Sequence, residues 1–405
     1  MNLKNIIKKP IVGLLTWEAS MLVKKHRPKV IAITGSVGKT TAKDILYAGL
    51  RDHFDTRTAQ KSFNSDIGVP LSIMDLENPG NSPIQWIQVL FSGVKQVIFS
   101  KSFPELLVLE VGAGAPNDIK KIATWLHPDI SVFTALAETP VHIEFFESIE
   151  QLFNEKKSLA LHTKQDGLIL YNGNDELLKN LLSDIETKKA TFVISDNIIF
   201  TKEGTTMNGE TTITLPGVLG HQMMYPVAAL VEIYKEFGID VHQGITSLVN
   251  HYEPTPGRAR IIQGIDETLL IDDAYNASPI AVKAALEVLG KFESKGRKLF
   301  VFGDMMELGD YAKKAHIDVA LQSDFINQLV TVGIHSRDTH VKATQMGTPA
   351  IHFDTSAEAG EWLVENHKPG DTILFKSSRH SIKMEQAIVQ MALPEEHHKL
   401  VQEYL

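Results

Sequence analysis

Apolar positions along the chain fall into short unbroken runs separated by stretches with helical spacing. "KVIAIT" at 29–34 is a β-branched apolar run. A glycine loop follows it, then "TTAKDILYAGLRDHF", in which Ile45, Leu46 and Leu50 recur on one helical face. The runs "LLVLEV" (106–111) and "ISVFTAL" (130–136) predict two more buried strands, and the spacing predicts a helix between them around Ile119 to Trp125. Strands that are apolar throughout belong to a parallel sheet covered on both faces by helices. From about Gly167 to Leu215 the chain is richer in threonine, isoleucine and glycine, which predicts shorter strands and turns attached to that sheet.

Two prolines and a glycine in "HYEPTPGRAR" (251–260) mark a boundary, after which the alternation restarts. "TLLIDD" (268–273), "KLFVFGD" (298–304), "QLVTVG" (328–333) and "DTILFK" (371–376) predict strands with helices between them. The expected fold class is α/β: a central P-loop domain with a mostly parallel sheet over 29–252, then a doubly wound, Rossmann-like domain over 253–405. Residues 1–28 precede both. In that segment Ile11, Leu14, Leu15, Met21 and Leu22 stand beside Lys8, Lys9, Lys24, Lys25 and Arg27, which predicts an amphipathic helix. Glu18 interrupts its apolar stretch and no small-residue cleavage site follows, so it does not read as a signal peptide. Packing against its own protein is the favoured role; peripheral contact with anionic lipid through residues 1–28 is the other.

Composition narrows the function. A chain of 405 residues exceeds one core, and 43% hydrophobic with 22% charged residues is ordinary for a folded soluble protein. The net charge of -9 lacks the basic footprint of a general nucleic-acid binder. The absence of cysteine excludes disulfides, thiolate metal sites and a cysteine nucleophile, and fits a reducing cytoplasm. We expect a cytoplasmic monomer.

The chemistry gathers at strand ends. In "TGSVGKTT" (34–41) Gly35 and Gly38 let backbone amides turn inward, and the helix N-terminus adds its positive end. Ser36 and Thr41 flank the same cradle, Lys39 would neutralise the β and γ phosphates of ATP, and Thr40 would ligate magnesium. Ile33 stands where a standard Walker loop has its first glycine, but strand before and helix after supply the context that a phosphate loop needs. Glu110 sits near the end of a very apolar strand, where a carboxylate is costly unless it is paired or holds metal. His142 follows the next strand; by itself it reads as a packed loop histidine.

The segments "ITGSVGKTTAKD", "SFNSDIGVPLSIM", "LEVGAGAPNDI", "VHIEFFESIEQLFNEK", "PGRARI", "IDDAYNASPIAVKAAL", "VFGDMMELGDYAKKAH" and "LFKSSRH" occur in the order found in Mur ligases. From about residue 29 to 390 the chain resembles that family, and most of all its D-alanyl-D-alanine-adding branch. The resemblance implies ATP- and magnesium-dependent amide bond formation through an acyl phosphate, with a muramyl peptide and D-alanyl-D-alanine as substrates. It implies that Glu110 and His142 hold a second magnesium and that Lys156 becomes carbamylated. It assigns Arg258 to the ATP phosphates, Asp273 and Asn276 in "DDAYNASP" to the nucleotide, and His221 to the adenine. Lys376, Ser378 and Arg379 would face the incoming amine substrate, and Asn64 with Ser62 the acceptor peptide. The chain departs from the family pattern at Gln222, Tyr225, Ser377, Ser62, Ser65 and Ala135. With 28 residues before the nucleotide strand, the usual N-terminal UDP-holding domain is expected to be missing. A Mur-like ligase with another acceptor or a polyglutamate substrate, and a non-catalytic nucleotide-binding scaffold, are the alternatives.

Overall fold

The computed structural model of the chain describes residues 3–59, 63–137, 145–209 and 211–404. Its contacts divide it into two compact units, Met1–Ile194 with Tyr225–Tyr252, and Ser195–Met224 with Glu253–Leu405.

In the first unit six strands form one parallel sheet: β1 (Lys29–Thr34), β2 (Thr56–Thr58), β3 (Leu106–Glu110), β4 (Ile130–Phe133), β5 (Leu168–Asn172) and β6 (Lys189–Phe192). Their spatial order is β2-β3-β1-β4-β5-β6. β1, β3 and β4 are buried along nearly their whole length, as their unbroken apolar runs require. Register aligns Ile33 with Glu110 and with Val132, so the carboxyl ends of the three central strands lie side by side. The helices that matter here are α1 (Leu3–His26), α2 (Lys39–Leu50), α3 (Gly68–Met74), α4 (Pro83–Phe99), α5 (Asp118–Leu126) and α6 (Ile149–Leu161). The N-terminal segment packs on its own unit: Leu15 and Leu22 of α1 are buried with Leu71 and Met74 of α3, and Trp86, Val89, Leu90 and Val97 of α4 close over them.

The second unit holds β10 (Arg260–Gln263), β11 (Leu269–Asp273), β12 (Lys298–Gly303), β13 (Gln328–Val332), β14 (Ala350–Phe353) and β15 (Thr372–Lys376), in the order β10-β11-β15-β12-β13-β14. Only β10 is antiparallel. The strand-and-turn region before the boundary divides between the units. β5 and β6 join the first sheet, whereas β7 (Ile198–Thr201), β8 (Gly204–Met207) and β9 (Ile213–Pro216) form an antiparallel sheet of their own rather than extending the first. Phe200 and Leu219 enter the second unit's core, and Val218 bridges to Arg260, which explains why this sheet groups there.

Candidate active site

The loop between β1 and α2 is shaped by two glycines in conformations that disfavour side chains, Gly35 at φ +153° and Gly38 at φ +81°. A Cβ at Gly35 would collide with the hydroxyl of Thr134, at the end of β4. That hydroxyl donates to Val37 O at 2.5 Å, and Ser36 N donates to Ala135 O at 2.7 Å. The neighbouring strand therefore clamps the loop from outside. The Ser36 hydroxyl is buried and has no hydrogen-bond partner among the described residues, as expected of a group awaiting a ligand.

Around this loop the structure gathers residues far apart in sequence. The Thr40 hydroxyl donates to Glu110 Oε2 at 2.9 Å, and Asn64 Nδ2 donates to Glu110 Oε1 at 2.8 Å. Glu110 is 3% exposed, so its two hydrogen bonds are what permit a carboxylate there. Asn64 is fixed by the Gly112 amide, which donates to Asn64 O at 2.9 Å. Lys39 Nζ and Lys156 Nζ both donate to Gly35 O, at 2.9 and 3.1 Å. Lys156, on the inner face of α6, is pushed down to about 7 by burial first and by the Lys39 charge second. Lys157 turns the other way and pairs with Asp184 at 2.6 Å. Next to Lys156, Glu155 accepts from Asn117 N at 2.8 Å and Lys120 N at 3.0 Å, tying α6 to the first turn of α5. His142 and Ser62 lie outside the described residues.

The oxygen donors fit magnesium. A hydroxyl and a carboxylate within hydrogen-bond reach, beside a loop of inward backbone amides, suit a hard cation that shares its shell with phosphate and water. Among the described residues no three His, Cys, Asp or Glu converge into an all-protein metal cage, an arrangement that magnesium seldom uses.

A second polar cluster forms in the other unit, where β11 and β15 end as parallel neighbours. Lys376 Nζ reaches Asp273 Oδ2 at 2.7 Å and donates to Asn276 O at 2.8 Å. Burial pushes the Asp273 carboxyl up, and Lys376 and Arg258 pull against it. The Arg258 guanidinium stacks over the Tyr275 ring at 4.3 Å, and Gly257 N donates to Asp272 Oδ2 at 2.7 Å. Ser378 Oγ accepts from Met306 N at 3.2 Å, while Arg379 N donates to Tyr275 O at 3.2 Å. Arg258, Asp273, Asn276, Lys376, Ser378 and Arg379 thus share one neighbourhood. His221 opens a short 3-10 turn beside the helix Pro279–Lys291; its pKa is lowered by burial, with Glu287 opposing.

Residues 33–225 match the Mur ligase middle domain, and residues 257–379 match the Mur ligase glutamate ligase domain. The chain belongs to the Mur ligase family. It is 29% identical over 375 residues to the UDP-N-acetylmuramoyl-tripeptide--D-alanyl-D-alanine ligase of Bacillus subtilis, covering 89% of this chain and 75% of that one. Its fold is that of MurF from Acinetobacter baumannii, with a TM-score of 0.74 at 23% identity over 93% of this chain and 79% of the other. MurF from Thermotoga maritima in complex with ADP superposes with a TM-score of 0.73 at 23% identity over 97% and 85%.

As a Mur ligase the chain is an ATP-dependent ligase, and its phosphate loop has features that the motif alone does not show. Thr134 clamps the loop and Glu155 anchors α6. A threonine just past an apolar strand next to β1 is the only sequence signal for the first; nothing in the sequence marks the second.

Proposed function

We propose that this Mur ligase joins the carboxylate of a muramyl peptide to the amine of D-alanyl-D-alanine during synthesis of peptidoglycan precursors. The observation that carries the reading is the convergence of Thr40, Glu110, Asn64, Lys39 and Lys156 on the Gly35–Gly38 loop. The substrate class follows the named activity of relatives such as the Bacillus subtilis ligase.

In this reading a carboxylate oxygen of the acceptor attacks the γ phosphorus of ATP, the bond to the bridging oxygen breaks, and ADP leaves. The amine nitrogen then attacks the acyl carbon and loses a proton as phosphate departs. Lys39 and the loop amides offset charge where two anions meet. Thr40 and Glu110 would hold magnesium, which supplies further neutralisation. Lys156 serves as a carbamate: its neutral amine adds to carbon dioxide and releases one proton, turning a buried cation into an oxygen donor. Asn64 and Ser62 toward the acceptor, His142 toward metal, and Arg258, Asp273, Asn276, His221, Lys376, Ser378 and Arg379 toward nucleotide and amine are assigned by family resemblance.

Incubating the protein with ATP, magnesium and a panel of peptide carboxylates and amines, followed by mass spectrometry, tests the assignment. The expected product has the summed mass of muramyl peptide and D-alanyl-D-alanine less one water. Ligation of a different pair, with none of this product, would overturn it.

A further inference from the structure

The first unit carries an apolar face that its core does not use. Along α4, Ile84, Ile87, Phe91 and Ile98 recur at intervals of three, four and seven residues and so form one stripe, each 61% to 71% exposed. The opposite face, through Trp86, Val89, Leu90 and Val97, packs around α1 and α3, and Gly93 lets the Glu18 side chain of α1 approach closely. α4 is therefore already amphipathic with respect to its own protein, yet its outward side is apolar too.

We propose that α4, with the basic residues around its C-terminal end, docks the protein on an anionic lipid surface. Charge argues for lipid over a protein partner. Between Glu77 and Glu105 the only charged residues are Lys95, within the stripe, and Lys101, just after the helix. The Lys25 ammonium of α1 sits at the same end, donating to Val97 O at 2.9 Å. This end is basic in a chain whose net charge is -9, so an anionic surface attracts it and repels the rest, which fixes the orientation. The stripe lies parallel to the helix axis, which suits a helix lying in the interface with its lysines reaching toward headgroups. α4 has 17 residues, about 25 Å at ~1.5 Å each, short of the ~30 Å hydrocarbon core. Among the described residues no helix is long and apolar enough to cross a membrane. In α1, the segment that reads as amphipathic in sequence, Leu15 and Leu22 pack inward, and among its described side chains only Trp17 and Met21 leave large apolar groups outward, fewer than the four of the α4 stripe. The docking element is thus α4, and its assignment assumes nothing about the ligation reaction.

The test is flotation of the full chain, without substrates, on vesicles of phosphatidylcholine alone and of phosphatidylcholine mixed with phosphatidylglycerol. Binding is expected on the anionic vesicles only, weakening with salt. Ile87→Ser with Phe91→Ser should weaken it by at least about tenfold, and Lys95→Glu by more than about fivefold, with circular dichroism and ligase turnover unchanged. No binding by the parent protein, equal binding to both vesicle types, or full binding by the folded double variant would overturn the proposal. So would a parent protein that is dimeric in solution and becomes monomeric on Phe91→Ser, since a second copy would then cover the stripe.

Discussion

Lys156 offers the sharpest physical prediction. Carbon dioxide adds only to a neutral amine, and an ordinary lysine with a pKa of 10.5 is neutral at pH 7 in about 0.03% of molecules. Burial and the Lys39 charge bring Lys156 to about 7, which makes about half of its amines neutral, an increase on the order of a thousandfold. The same buried amine faces Gly35 O, the carbonyl that Lys39 also contacts, so a carbamate formed there would lie against the phosphate loop. The assay is carbon-13 NMR of the protein in labelled bicarbonate at pH 7 to 8. One carbamate resonance is expected; Lys156→Met should abolish it, and Lys157→Met, which removes the partner of exposed Asp184, should leave it intact. Turnover of Lys156→Met should fall by about a hundredfold or more and recover partly with added short-chain carboxylates. A carbamate that survives Lys156→Met, or full turnover by that variant, would refute the reasoning.

Three further outcomes follow from particular contacts. Replacing Thr134 with valine keeps its shape but removes the donor to Val37 O; the loss of about 1 kcal/mol of loop preorganisation should raise KM for ATP roughly fivefold while the fold melts almost normally. Lys376→Met removes the ammonium that pairs with buried Asp273 and should cost about 3 kcal/mol in urea unfolding, most of which Asp273→Asn in the same chain should restore. Glu18 is fully buried, neither of its oxygens has a hydrogen-bond partner among the described residues, and burial raises its pKa from 4.5 to about 7. The folded state holds its proton more tightly than the unfolded chain, so stability is full below pH 4.5 and falls as pH rises to about 7. Relative to the parent, Glu18→Gln should therefore gain about 2–3 kcal/mol between pH 4.5 and pH 8, measured as the shift in urea midpoint at the two pH values.

The sequence is informative wherever one local pattern suffices. β1, β3 and β4 are short apolar runs because both sheet faces are covered, and the loop after β1 can be read from glycine spacing and the helix behind it. Local pattern does not separate Lys156 from Lys157, because both sit on one helix and its rotation decides which is buried; the family resemblance is what singles out Lys156 in the sequence. β2 and β14 escape notice because their half-buried residues "TRT" and "AIHF" lack an unbroken apolar run. The separate β7-β8-β9 sheet is hidden because its strands are local hairpins whose packing partners lie beyond residue 253. The Asp273–Lys376 pair depends on β11 and β15 being neighbours, which chain order does not reveal. The outward stripe of α4 is likewise invisible without knowing which face the core takes.

The most direct test of the central claim is release of ADP by the purified chain with ATP and magnesium. ADP and phosphate should accumulate in step with ligated product only when a muramyl peptide carboxylate and D-alanyl-D-alanine are both present, and Lys39→Ala should reduce this to background. Undiminished turnover by a folded Lys39→Ala protein, or nucleotide binding without turnover on any carboxylate and amine pair, would contradict the account.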